Sequence, residues 1–382
     1  MGFTIRGHYA ISFTENASNL VFSEVESPMR ISYFIDDNVI VDNVELHPDA
    51  NGEVTIHVRY ELPRVVGLPP PLAGPCTTSK NLPQVAWRAN KAGESIRLGS
   101  YLMPGGVSKP FDTASEIIDF FARNFLTHQP QIIETTPLQP QWLAFVRTYP
   151  YQTMELHTTL YTADGRTFTK QISETPGSYT YNQIDTSFSA CWQEFCKEKD
   201  LVPIAYDVFG TSQKAQISDG VTTLIDKPNH PIGQRYLLRK ARMDDQCFGF
   251  VNGMGGFDTL MMQGRTILKP EGDAETFTNS EVEKELANNY TSYWETSTGY
   301  IDSERMAAQY QDFLKSRDRW VCRDGEWHRI IVDEYKAEHT ARELNAYTFK
   351  YHLAERNERR FYDREELPEP QITPGEFFPE GR

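Results

Sequence analysis

The stretch FVNGMGGFDTL, Phe250–Leu260, decides how this chain is read. It sets Gly253, Gly255 and Gly256 just ahead of an acid, Asp258. A dinucleotide-binding unit requires G-x-G-x-x-G between a strand and a helix, because backbone amides at the helix N-terminus hold the pyrophosphate. Here the third glycine is missing at that spacing and Asp258 takes its place. No G-K-[ST] follows, so a P-loop is excluded as well. The continuation TLMMQGR reads as a second strand turning at Gly264, giving strand, glycine loop, strand. Asn252 and Asp258 bracket the loop, and both residue types hydrogen-bond turn backbone. The expected role of Asn252, Gly253, Gly255, Gly256 and Asp258 is a structural turn.

The same strand-and-turn reading extends outward in both directions. MRISYFI alternates Met29, Ile31, Tyr33 and Ile35 against Arg30, Ser32 and Phe34, and EVTIHVRY alternates likewise, as half-buried strands do. Turn signals at Asp36-Asp37-Asn38 and Asn51-Gly52 lie between them. GLPPPLAGP, with Pro69, Pro70 and Pro71, reads as a connector outside any sheet interior. TASEIIDFFARNFL is a short helix with Thr113 and Glu116 at capping-box spacing. From Gln141 to Phe209, QWLAFVRTY and TMELHTTLYT read as alternating strands, and strands recur with turn signals between them, which suggests a sandwich. FSACWQEFCKEKD interrupts them as a short helix. Further on, NSEVEKELANNY carries a second capping-box spacing, Ser280 and Glu283, and SERMAAQYQDFLKSRD a third helix start at Ser303. RWVCRDGEWHRIIV is a hairpin turning at Asp324-Gly325, and AYTFKYHL a closing strand.

These elements predict a mainly β chain of two serial β-sandwich-like modules followed by a mixed α+β module. The expected bounds are 1–137, 138–228 and 229–364, with an acidic Pro-rich tail over 365–382.

Composition narrows the function classes. The chain has 382 residues and a formal charge of −15, against the clustered cations that broad nucleic-acid binding requires. RKAR (Arg239–Arg242) is the one basic cluster of note and reads as a solvated strand end. The five cysteines are scattered and read as free thiols in a reducing compartment. No signal peptide is evident at the N-terminus, and no apolar run is long enough for a membrane helix. The histidines form no H-E-x-x-H or H-x-H pattern, and the chain has no G-x-S-x-G elbow. A hydrolytic site built from Asp244, Asp245 and Asp258 lacks nearby help for Asp258, whose nearest histidines along the chain are His230 and His328. The expectation is no catalytic residue, no cofactor and no metal. Tyr290–Tyr300, YTSYWETSTGY, holds aromatics suited to a sugar, a core or a subunit contact.

Read together, FVNGMGGFDTL, YTSYWETSTGYI, QDFLKSRD, IIVDEY and LNAYTFKY run in one order along the C-terminal part. NLVFSEVESPMRISY, LHPDANGEVTIHV, YLMPGG, FLTHQPQ and QPQWLAF precede them. In this order the chain resembles virion proteins of the tail and baseplate type from phages and prophages of the Bacteroidetes, over nearly its whole length. Ser297 stands where that pattern has Asn before Thr-Gly. The resemblance implies a non-enzymatic structural protein, assembled in the bacterial cytoplasm into a virion tail, with other tail proteins as partners and a homo-oligomeric ring as its form. Pro69, Pro70, Pro71, Tyr293, Trp294, Tyr300, Phe377 and Phe378 are the expected interface residues. The alternative from another class is a carbohydrate-binding or adhesive β-sandwich protein, favoured by aromatics on one exposed face and disfavoured by their burial between modules.

Overall fold

The computed structural model describes residues 4–17, 19–57, 77–91, 94–109, 111–148, 151–175, 179–218, 221–225, 232–279, 282–301, 303–337 and 345–354. Five sheets and four helices are formed among them, so the chain is mainly β. Pro69, Pro70, Pro71, Phe377 and Phe378 lie outside the described residues, as does the tail from 365.

The first sandwich faces a three-stranded sheet, in the order β1 (Thr4–Arg6), β3 and β6 (Val54–Ile56), against a five-stranded one, in the order β2 (Ile11–Phe13), β9 (Glu94–Met103), β8, β4 and β5 (Asn38–Leu46). Its period-two patterns do what the pleat requires. In β4 (Met29–Ile35), Met29, Ile31, Tyr33 and Ile35 enter a core shared with Leu20 and Phe22 of β3 (Leu20–Ser23) and Val85 and Trp87 of β8 (Gln84–Lys91). Helix α1 (Ala114–Arg123) follows, its first turn closed by Thr113, whose hydroxyl accepts from the Glu116 N–H at 3.2 Å.

The second sandwich faces β11-β14-β7 against a sheet in the order β10, β17, β15 (Pro203–Ser218), β12 (Tyr151–Thr162) and β13 (Thr167–Thr175), with two short helices, α2 (Phe188–Cys191) and α3 (Gln193–Lys199), between β14 and β15. It recruits strands from beyond the expected 138–228. β7 (Thr78–Asn81) pairs with β14 (Thr180–Asp185), and β10 (Ile132–Thr135) pairs in parallel with β17 (Ile232–Leu238). Segments far apart in sequence thus complete each of the two sheets, which a local reading has no means to detect. β11 (Trp142–Arg147) is buried at every residue. Leu143 and Phe145 enter the core of this sandwich, while Ala144 and Val146 enter a second core with α1.

The third module is an antiparallel seven-stranded sheet in the order β19, β18, β22 (Arg319–Arg323), β23 (Glu326–Lys336), β24 (Thr348–Leu353), β21 and β20, with α4 (Glu304–Lys315) packed on it through Ala307, Tyr310, Phe313 and Leu314. Asp324 and Gly325 adopt φ of 51° and 84°, the left-handed pair that a tight hairpin of this twist needs. The capping-box spacing at Ser280 does not start a helix. Val282–Ser297 is strand β21, paired along Thr266–Asn279 of β20. A continuous backbone ladder outweighs a capping signal with only Val282 and Leu286 behind it as an apolar stripe. No helix among the described residues is long and apolar enough to cross a membrane.

Candidate functional site

FVNGMGGFDTL forms the end of β18 (Gln246–Val251), a five-residue loop, and the start of β19 (Phe257–Met262). Asn252 organises the loop. Its Oδ1 accepts from the N–H groups of Met254 (2.9 Å) and Gly256 (3.1 Å), and its own N–H donates to the Gly256 carbonyl at 2.8 Å. Gly255 takes φ +77°, and a Cβ there would sit 2.6 Å from the Pro104 carbonyl oxygen. A Cβ on Gly256 would stand 1.9 Å from the Leu126 oxygen. Gly253 is less constrained, with Asp312 Oδ1 at 3.4 Å from a built Cβ and no left-handed φ. Of the three expected turn glycines, the geometry demands the second and third.

The loop reaches well beyond its own strands. The Gly106 N–H donates to the Gly253 carbonyl at 2.8 Å, which docks the Pro104-Gly105-Gly106 turn of the first module onto it. Gly105 is required there, since a Cβ would fall 2.3 Å from that same oxygen. The Met254 side chain inserts among Phe13, Met103, Phe121, Leu126 and Val146, residues of the first and second modules. The Tyr181 hydroxyl of β14 donates to the Gly255 carbonyl at 3.3 Å. From the third module, Asp312 Oδ2 on α4 accepts from the Gly253 N–H at 3.0 Å and lies 3.4 Å from His128 Nδ1. Three modules converge on this five-residue loop.

Asp258 is 1% exposed. Its Oδ2 accepts from Asn252 Nδ2 at 2.9 Å and from the His128 N–H at 3.2 Å. Burial pushes its pKa up to about 6, with hydrogen bonds from Thr127 and Asn252 working the other way. Asn252 Nδ2 also donates to the Leu126 carbonyl at 2.8 Å, so the link between modules and the buried acid share one amide. Next along β19, the Thr259 hydroxyl donates to Gln141 Oε1 at 2.6 Å, and Gln129 Nε2 donates to the Thr259 carbonyl at 3.1 Å. Beneath this polar layer, Trp142 of β11 meets Phe257 edge-on at 5.5 Å and Trp327 at 5.6 Å, with Trp320 completing the cluster. Gly249 of β18 makes room for it, because a Cβ there would lie 2.3 Å from the Phe257 ring.

This is a joint whose Asn252, Met254, Phe257, Asp258 and Thr259 are all buried. Asp245 belongs to another network, paired with Arg239 at 2.7 Å and accepting from the Arg242 N–H. Asp244 is exposed. Asp245 and Asp258 are therefore engaged in separate networks. Among the described residues, no group of three or more His, Cys, Asp or Glu is placed to hold a metal ion. Tyr293 and Trp294 are half-buried under cations, with Lys350 Nζ 4.1 Å from the Tyr293 ring centre and the Arg323 guanidinium 4.0 Å from that of Trp294. Tyr300 is 73% exposed. Sequence reasoning did not find Leu126, His128, Gln141, Trp142 or Asp312 as partners of the loop. The available signal was weak, a glutamine preceding a strand with no polar face.

No family model and no curated protein matches the chain. Two solved structures bear a faint likeness. One is the Dpr2 Ig1-Ig2 and DIP-Theta Ig1-Ig3 complex, at TM-score 0.19 and 8% identity over 92% of this chain and 90% of that one. The other is the Bacteroides ovatus mixed-linkage glucan utilization locus SGBP-B bound to a mixed-linkage heptasaccharide, at TM-score 0.13 and 8% identity over 92% and 99%.

Proposed function

We propose that this chain is a non-enzymatic structural component of a phage tail, baseplate or related particle, acting through protein–protein interfaces. One observation carries the reading. The glycine loop, at the heart of the sequence resemblance, is committed to joining three modules through buried hydrogen bonds and packed aromatics. A chain built this way is suited to holding separated surfaces at fixed spacing for its neighbours, as ring-forming subunits do. The carbohydrate-binding alternative draws on exposed aromatics, and the tryptophans do not supply them. All six lie within or against buried cores: Trp87 in the first sandwich, Trp192 in the second, Trp294 in the third module, and Trp142, Trp320 and Trp327 at the joint.

The test is to raise antibodies to the purified chain and label phage particles released by the bacterium that encodes it. Labelled tails or baseplates are the expected result. Particles that take no label and contain no peptide of the chain by mass spectrometry would overturn the reading.

A further inference from the structure

Two cysteines face each other across the sheet of the third module. In the antiparallel pairing of β18 with β22, Cys247 stands opposite Cys322, and this is the last rung of the ladder. The register runs without a bulge from Phe250↔Arg319 to Cys247↔Cys322, so the two side chains leave the same face of the sheet. Opposed residues on antiparallel strands have Cα atoms about 4.5–5.5 Å apart, within the roughly 4.4–6.8 Å that a disulfide spans. Their Cβ atoms stand about 4.5–5.5 Å apart, against about 3.5–4.5 Å in a disulfide, so the bond asks for a small approach of the strands. No further β18–β22 pair lies beyond this rung for that approach to disturb.

The face is the one that carries the joint. Two residues along β18, Gly249 stands opposite Trp320, and Cys322 is itself opposite Trp327 of β23, both tryptophans of the cluster around Trp142. Both cysteines are thiols in this structure. Cys247 is buried, its Sγ donating to the Phe248 carbonyl at 4.0 Å, whereas Cys322 is half-buried and open to a small reagent. Burial pushes both thiols up, Cys247 further through the proximity of Cys322, while the Gly325 N–H works the other way on Cys322. Cys191 and Cys196, the other described cysteines, lie in the core of the second sandwich.

We infer that Cys247 and Cys322 close into a disulfide once the chain leaves a reducing compartment, a covalent clamp between β18 and β22 beside the joint. A low-molecular-weight disulfide serves as the oxidant. The Cys322 thiolate attacks one of its sulfurs, expelling one small thiolate and leaving a mixed disulfide. Cys247 then gives up its proton and attacks Cys322 Sγ, expelling the second small thiolate. The two protein thiols lose two electrons, the small disulfide gains them, and the two thiol protons end on the small thiols released. The clamp closes a long loop, from Cys247 through α4 to Cys322, and over a long loop such a bond restricts the unfolded chain most. It goes beyond the assembly reading and does not depend on it.

Peptide mapping of the full chain tests it. The folded protein is incubated with oxidised glutathione at pH about 8, where more of each thiol is ionised, then denatured, alkylated and digested without reductant. The expected product is a peptide pair joined through Cys247 and Cys322, with Cys76, Cys191 and Cys196 alkylated. The oxidised chain should melt roughly 5–10 °C higher than the reduced one, and dithiothreitol should return it to the lower midpoint. Cys322→Ser, at the half-buried position, should form no link and lose the reversible rise, and Cys247→Ala should do the same. A chain that keeps all five thiols, that stops at a glutathione adduct on Cys322, or that links any other pair overturns the inference. So does a Cys322→Ser chain whose midpoint still rises with oxidant as the wild type's does. None of these results touches the assembly reading, which stands or falls on the chain's presence in particles.

Discussion

Asn252 Nδ2 lies 2.9 Å from Asp258 Oδ2 and 2.8 Å from the Leu126 carbonyl, so one amide ties the loop, a buried acid and the preceding module together. Asn252→Ala takes the side-chain partner from two loop N–H donors and the Leu126 carbonyl at once, and leaves Asp258 Oδ2 with the His128 N–H. Each buried polar group left unpaired costs about 1–3 kcal/mol, so the loss is expected to reach at least about 3 kcal/mol. Asn252→Asp is the sharper variant. It puts a second carboxylate against Asp258 and should be more damaging at neutral pH than at pH about 5, where one of the two is protonated. Urea midpoints at both pH values check this.

Asp258 itself predicts a pH signature. Its carboxyl pKa rises from 3.8 to about 6 on folding, because the buried charge is poorly solvated. A folded value above the unfolded one means the native state holds the proton more tightly. The contribution is therefore fully present below pH 3.8 and is lost as pH rises through about 6. Two units correspond to about 3 kcal/mol. Asp258→Asn keeps the shape and removes the titration. The stability difference between wild type and variant should shift by up to about 3 kcal/mol between pH 7 and pH 4, with the wild type gaining on the acid side. A difference that stays constant across that window contradicts the assignment.

The three loop glycines should separate on substitution. Gly256→Ala drives a methyl into the Leu126 oxygen at 1.9 Å, a backbone atom that cannot step aside. The expected cost is about 3–5 kcal/mol, among the largest single-residue effects. Gly253→Ala meets only Asp312 at 3.4 Å and should stay within about 1 kcal/mol. Thermal melts of the pair decide whether steric fit at the joint or general loop flexibility sets the glycine content.

What the sequence discloses here is local. The alternation in Met29–Ile35, the Ser303 cap on α4, and the Asp324-Gly325 turn all appear as their patterns indicate, because a pleat, a helix end and a tight turn are decided within a few residues. Asn252 holds the loop backbone through its Oδ1, whereas Asp258 accepts from the Asn252 side chain and from the distant His128 N–H. Their outward partners were hidden by distance along the chain, since Asp258 and His128 meet across 130 residues. β11 defeats the alternation test for a different reason, with both faces buried and no polar face to mark the period. Ser280 shows the opposite error, a genuine local signal overruled by a long cross-strand ladder.

The aromatic cluster under the joint gives the last prediction. Trp142 belongs to the second sandwich and Phe257 to the third module, and their rings meet edge-on at 5.5 Å with an interplanar angle of 87°. Trp142→Ala removes a side chain that is 6% exposed and leaves a cavity shared with Trp327 and Trp320, so a loss of about 3–5 kcal/mol is expected. Phe257→Ala should cost a similar amount. Because each truncation empties the same contact, the double variant should fall short of the sum by about 0.5–1.5 kcal/mol. The loss should also be felt at the joint before it is felt inside the sandwiches, whose own cores around Trp87 and Trp192 are untouched. Limited proteolysis of Trp142→Ala is expected to cut first between the second and third modules, near residues 239–246, and to release a second sandwich that retains its strands. Cleavage that begins within β12 or β15 instead would mean that the joint is not the weakest seam, and that these aromatics stabilise the second sandwich itself.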